Sequence, residues 1–164
     1  MASGKTDLTT LIAELGAADV KFVLVEGLAA VAQGAPITTF DVDIVHARDE
    51  QNVDALLRFL GSVHARYRGR PKGELLPASR TALLGPGHSL FTTDLGPLDV
   101  LGAIEGARAY EDLVHDSLDV EVEGHVIKVL KLATLVELKR GLTNMKNRHV
   151  LPILEATLRR SDEK

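Results

Sequence analysis

Residues 22–45 read FVLVEGLAAVAQGAPITTFDVDIV, and the rest of the chain is organised around them. The pattern predicts a buried strand at Phe22–Val25, a glycine step at Gly27 and a short helix of small residues to about Gln33. A Gly34-Ala35-Pro36 turn follows, then a second strand that carries Asp41 and Asp43. Alternate residues of a strand share a face, so the two carboxylates project together while Val42 and Val45 are available to the core. Like charges held that close repel, and a bound cation is the usual remedy. The plain alternative is a solvated strand end, where Asp-Val-Asp costs little.

A third carboxylate comes from farther along. Residues 90–101, LFTTDLGPLDVL, predict a hairpin turning at Leu95-Gly96-Pro97, with Pro97 at the start of the outgoing strand. Asp99 lies between Leu98 and Val100 and therefore faces away from both. Asp94 is its competitor, but it abuts the turn, and turn chemistry accounts for it.

The order of apolar strand, glycine, tight helix and Thr39-Phe40-Asp41-Val42-Asp43 resembles the signature of the DNA polymerase β-like nucleotidyltransferase superfamily. The closer likeness is to its small prokaryotic members, the minimal nucleotidyltransferases and the abortive-infection type II toxin group. It spans about Phe22 to Leu154 and includes the C-terminal stretch LVELKRGLTNMKNRHVLPIL, in which Lys139 and Lys146 match lysines common in the group. The resemblance implies an α+β nucleotidyltransferase fold, a mixed sheet flanked by helices with a helical C-terminal segment. It implies two Mg²⁺ or Mn²⁺ ions held by Asp41, Asp43 and Asp99, with the same three residues catalytic. It also implies nucleotide contacts from Gly27, Thr39, Lys139 and Lys146. The implied reaction moves a nucleoside monophosphate from an NTP to an acceptor hydroxyl on RNA, protein or a small molecule. A toxin–antitoxin or phage-defence setting, with a partner chain, goes with it. The chain departs from the pattern at Glu26, where a first glycine is usual, at Ile37, where a basic residue is common, and at Asn147, where Asp is common. Glu26 puts bulk and negative charge where backbone approaches phosphate. That departure supports an alternative, a catalytically weak or inactive fold that acts as an antitoxin-like binding partner.

Composition agrees with these expectations. The 164 residues are 45% apolar and 26% charged, as in an ordinary globular protein, and the length suggests one nucleotidyltransferase-like domain over residues 1–164. The absence of cysteine excludes disulfides and thiolate zinc sites, and fits the cytoplasm. No signal-type or membrane-spanning apolar run is evident. A net charge of −4 argues against a nonspecific nucleic-acid binder. The six histidines show no zinc spacing, although His46 lies just past the Asp pair.

Other segments serve packing. Asp7 caps an expected helix to about Ala17. Asp49 or Asn52 opens one that runs to Leu60 and ends at Gly61. Ala107–Val114 reads as a short helix, residues 118–130 as a hairpin around Glu123-Gly124, Lys131–Leu142 as a helix, and Arg148–Arg159 as a last helix with Pro152 in its first turn. The Gly4-Lys5-Thr6 run lacks the strand a phosphate-binding loop requires. His64–Lys72 is the most basic stretch, either an exposed loop or a surface for NTP or RNA phosphates to which Arg80 could add.

Overall fold

Among the described residues, seven short strands form one mixed sheet in the order β3-β4-β5-β2-β1-β7-β6. The structure, a computed structural model, describes residues 6–69, 76–141 and 145–162, and of residues 145–147 the backbone alone. The strands are β1 (Phe22–Val25), β2 (Val42–His46), β3 (Arg66–Tyr67), β4 (His88–Thr93), β5 (Gly96–Leu101), β6 (Ser117–Val122) and β7 (His125–Leu130). The β1–β7 and β2–β5 pairs are parallel and the others antiparallel. The helices are α1 (Leu8–Ala17), α2 (Glu26–Ala32), α3 (Glu50–Ser62), α4 (Arg80–Leu84), α5 (Tyr110–Leu113), α6 (Leu132–Arg140) and α7 (Met145–Asp162). The α+β architecture implied by the resemblance is therefore present, with a helical C-terminal segment.

Register defines the two faces of the sheet. Leu24, Ile44, Val100 and Ser89 form one row across β1, β2, β5 and β4, and all four are buried. Val42, Leu98 and Phe91 form a parallel row at 0% exposure. Helix α1 packs on this face, with Gly16 against Ile127. So does α4, whose Leu83 carbonyl meets His46 Nε2 at 2.7 Å. On the other face the equivalent row reads Val25, Asp43, Asp99 and Leu90, in the same strand order. Helices α2, α6 and α7 lie on that side. Gln33, just after α2, ties it to the end of β7 through its side-chain bonds to the Leu130 carbonyl (2.8 Å) and the Leu132 N–H (2.8 Å).

Local chemistry explains most boundaries. Asp7 and Asp49 cap α1 and α3 by accepting from the Thr10 and Asn52 N–H groups (3.1 and 3.0 Å). Asn52 also bridges Lys21 and Ala47 by three hydrogen bonds, fixing α3 to the ends of β1 and β2. At the β6–β7 turn Glu123 and Gly124 both have positive φ (48° and 86°), the conformation that suits a tight hairpin.

Four expectations need correction. Gly61 lies inside α3, which ends one residue later at Ser62, just before His64 turns left-handed (φ 54°). The Ala107–Val114 helix is confined to Tyr110–Leu113, because Ala107 is left-handed (φ 58°) and Arg108 and Ala109 are extended (ψ 118° and 179°). Helix α6 stops at Arg140, and Leu142 lies outside the described residues. Pro152 falls well inside α7, which begins at Met145, so the proline is not in a first turn. Gly4 and Lys5 lie outside the described residues; Thr6 packs against Gly96 at the β4–β5 turn. No helix among the described residues is long and apolar enough to cross a membrane.

Candidate active site

Three carboxylates converge at the middle of the sheet. Asp43 on β2 and Asp99 on β5 are direct register partners, and Asp41 lies one residue before β2 begins. Each offers an oxygen within 4.8 Å of the others. Parallel pairing of β2 with β5 brings the third acid beside a pair more than fifty positions earlier in the chain.

The electrostatic consequence falls on Asp43. Burial, a hydrogen bond with Asp99 and the negative charges of Asp41, Asp99 and Glu26 push its carboxyl up to about 8 from an ordinary 3.8. At about 4 Å, two ionised carboxylates repel by about 4 kcal/mol at an effective dielectric of 20, so retaining a proton is the cheaper state without a counter-ion. An all-oxygen set of partly buried carboxylates fits hard cations such as Mg²⁺ or Mn²⁺.

Two internal ion pairs flank this triad. Arg68, just after β3, places one guanidinium nitrogen 2.5 Å from Asp99 Oδ1 and another 2.7 Å from the Phe91 carbonyl. Its backbone N–H donates to Leu90 (2.8 Å), so the side chain starts from a pinned position at the sheet edge. On the opposite flank, Lys139 of α6 pairs with the Glu26 carboxylate. Glu26 has φ 59°, a left-handed conformation that costs an L side chain about 1–2 kcal/mol. The glycine usual here in the resembled family would adopt it without that cost.

The triad opens into a cavity of about 1050 Å³. Glu26, Gly27, Thr39 and Lys139 border it towards β1 and α6, while His88, Leu90, Leu101, Ala103, Ile104 and Glu105 border it beyond Asp99. Phe40, beside Asp41, is 76% exposed at its rim. The volume suits a small-molecule site.

The structure thus brings together Asp41, Asp43, Asp99, Gly27, Thr39 and Lys139 around one cavity. Gly27 has a packing duty: a Cβ there would lie 3.0 Å from the Thr39 hydroxyl. The side chains of Lys146 and Asn147 lie outside the described residues. Ile37, at the place of a basic residue, also lines the cavity. His46 points to the opposite face, is 1% exposed, and has its pKa lowered by that burial, so it plays no part at the triad. Asp94, the competitor of Asp99, pairs with His64 at the far end of β4. Arg80 does not join the basic stretch: it is held on the α3 surface by Asp54 (2.8 Å) and Glu50 (3.8 Å). Among the described residues of that stretch, Arg66 bonds its neighbour's carbonyl and Arg68 alone reaches the triad; residues 70–75 lie outside the described residues. Sequence reasoning missed the Arg68–Asp99 and Glu26–Lys139 pairs, which join positions 31 and 113 apart. Glu105 carried no motif at all.

No protein-family model matches the sequence, and no curated protein does. Solved structures do match. The lincosamide antibiotic adenylyltransferase LnuA, with lincomycin bound, superposes with TM-score 0.61 at 11% identity, over 94% of this chain and 99% of that one. A Thermotoga maritima protein assigned as a nucleotidyltransferase, TM1012, gives 0.57 at 18%, over 88% and 90%. The antibiotic-resistance factor ANT(2'')-Ia gives 0.54 at 13%, over 92% and 84%. The chain has the fold of these nucleotidyltransferases.

Proposed function

We propose that this protein is a metal-dependent nucleotidyltransferase, moving a nucleoside monophosphate from an NTP to an acceptor hydroxyl. The observation that carries the reading is the convergence of Asp41, Asp43 and Asp99 within 4.8 Å at the mouth of a large cavity. Fold alone does not assign an activity, so the site must. Asp41, Asp43 and Asp99 would hold two Mg²⁺ or Mn²⁺ ions, which when bound neutralise the triphosphate and acidify the acceptor hydroxyl.

The chain's own groups then have distinct tasks. Glu26, Gly27, Thr39 and Lys139 border the triphosphate side, where Lys139 offsets charge once it leaves Glu26, and Lys146 is assigned to the same role by sequence. Asp99 takes the acceptor's proton. The acceptor oxygen bonds to the α-phosphorus, the bridging bond between that phosphorus and the β-phosphate oxygen breaks, and pyrophosphate departs. Arg68 must release Asp99 before this can occur, because a carboxylate oxygen held by a guanidinium is a poor base and a poor ligand.

A direct test incubates the protein with each α-labelled NTP, Mg²⁺ or Mn²⁺ and cell extract, and asks which molecule becomes labelled. Label that disappears with Asp43→Asn supports the reading. Neither labelling nor NTP binding with any nucleotide would sink it. The second reading, a catalytically weak fold acting as an antitoxin-like partner, draws on Glu26. That side chain occupies Lys139 and adds a charge beside the phosphate path of this reading. Measurable Mg-NTP binding by the unaltered protein counts against it.

A further inference from the structure

We infer that the acceptor is a small hydroxyl compound with an apolar body and a hydrogen-bond donor, uncharged or cationic, and that Glu105 selects it. The inference rests on the transferase reading above and names the acceptor class that reading leaves open. Strand order divides the cavity. Gly27, Thr39 and Lys139 lie on the β1 and α6 side, while Asp99 stands on β5, the next strand beyond Asp43. An acceptor whose proton goes to Asp99 must come from the β4–β5 side. That side is lined by His88, Leu90, Leu101, Ala103, Ile104 and Glu105.

The chemistry of this wall is specific. Leu90, the register partner of Asp99, is 40% exposed and offers bare apolar surface next to the triad. The His88 ring is tied to the Ala103 carbonyl (3.0 Å), which fixes the wall's far end. Glu105 has one carboxylate oxygen buried with no hydrogen-bond partner among the described residues. A buried acceptor left unpaired is costly, and a turn of this side chain into the cavity that it lines would let a ligand N–H or O–H satisfy it. The backbone holding it is unusual: Gly106 and Ala107 follow with φ 77° and 58°, the second being a conformation that an alanine adopts only at a cost.

Charge argues against a phosphodiester acceptor. Among the described residues, the wall beyond Asp99 carries the Glu105 carboxylate and no lysine or arginine, whereas the three triad carboxylates are those that the metal ions would neutralise. A nucleic-acid backbone would meet a carboxylate at Glu105 and apolar surface at Leu90 and Ile104.

The test uses three probes with a common naphthyl body, an amino alcohol, a plain alcohol and a phosphate ester, and a short oligouridylate. The chain contains no tryptophan, so naphthyl fluorescence reports binding directly. The amino alcohol should bind at least about tenfold tighter than the phosphate ester, and Glu105→Gln should remove about tenfold of that affinity, the scale of a charge-assisted hydrogen bond. Glu105→Gln should leave Mg-ATP binding unchanged, and Leu90→Asp, at an exposed position, should weaken the plain alcohol as well. Tighter binding of the oligouridylate or the phosphate ester overturns the inference. So does unchanged probe affinity in both variants, or a Glu105→Gln effect confined to the preference between ATP and UTP, which would assign the wall to the nucleobase. Probe binding that depends on Glu105 without any NTP binding would defeat the transferase reading and keep the pocket; NTP-dependent labelling of RNA would do the reverse.

Discussion

The two faces of the central sheet are made by alternate residues of the same four strands, yet they follow opposite rules. On one, Leu24, Ile44, Val100 and the 0%-exposed row Val42, Leu98 and Phe91 are sealed under α1 and α4. On the other, the row through Val25, Asp43, Asp99 and Leu90 puts two acids where packing would favour apolar side chains. The first face stabilises the fold by removing apolar area from water. The second spends part of that stability to hold charges close together, as functional sites do. Period-two alternation lets one set of strands serve both ends.

The largest effect should come from damaging the closed face. Phe91→Ala should cost about 3–5 kcal/mol through lost burial and a cavity, read as a fall in the denaturation midpoint. Its counterpart on the open face, Asp43→Asn, should leave the fold intact, abolish the stabilisation by Mn²⁺ in thermal melts, and lower any NMP transfer more than the roughly 100-fold typical of outer-shell changes at metal sites. Equal destabilisation by both substitutions would erase the distinction between the faces.

Acidity separates the faces next. Asp43 has a pKa of 3.8 unfolded and about 8 in the fold. Its contribution is therefore full below about pH 4 and is lost as pH rises towards and through about 8. His46, whose pKa burial lowers from 6.5, contributes above about pH 6.5 and loses that contribution as pH falls. Metal-free protein should thus lose stability through the open face as pH rises from about 4 to about 8, and through the closed one as pH falls below about 6.5. Mn²⁺ or Asp43→Asn should remove the first loss alone, as followed by thermal melts across pH.

A smaller change probes the strained corner of the open face. Glu26→Gly relieves the left-handed backbone and frees Lys139, at the loss of one ion pair. Stability should change little, while Mg-NTP affinity should rise about tenfold, equivalent to 1.4 kcal/mol, in a calorimetric titration. Unchanged affinity would mean that Glu26 leaves the phosphate path when nucleotide arrives. Arg68→Gln should raise apparent Mn²⁺ affinity several-fold, because it removes the cation that competes for Asp99. Least of all, Arg80→Ala, which breaks only exposed pairs with Asp54 and Glu50, should alter neither melting temperature nor metal binding.

Much of this was legible in the chain. The strand–glycine–helix–turn–strand unit, the Asp7 and Asp49 caps and the 118–130 hairpin rest on local signals, and each appears where they place it, to within a residue or two. Pro152 misled because its first-turn preference gives way once helix α7 begins earlier, at Met145. Glu26 was recognisable as a departure in the sequence. Its left-handed backbone and its partner were not, since both arise from the meeting of α2 with α6.

By itself, the sequence determined which residues could share a face. A strand's period of two is a local property, and so Asp41-Val42-Asp43 and Leu98-Asp99-Val100 already carried acids on the side opposite their apolar neighbours. What only the tertiary structure decided was which partners those faces meet. Parallel pairing of β2 with β5 sets Asp99 beside Asp43. The short β3–β4 edge delivers Arg68 to Asp99, and the loop after β5 turns Glu105 into the cavity wall. These contacts join positions tens of residues apart, and their geometry depends on register and packing that no local pattern contains.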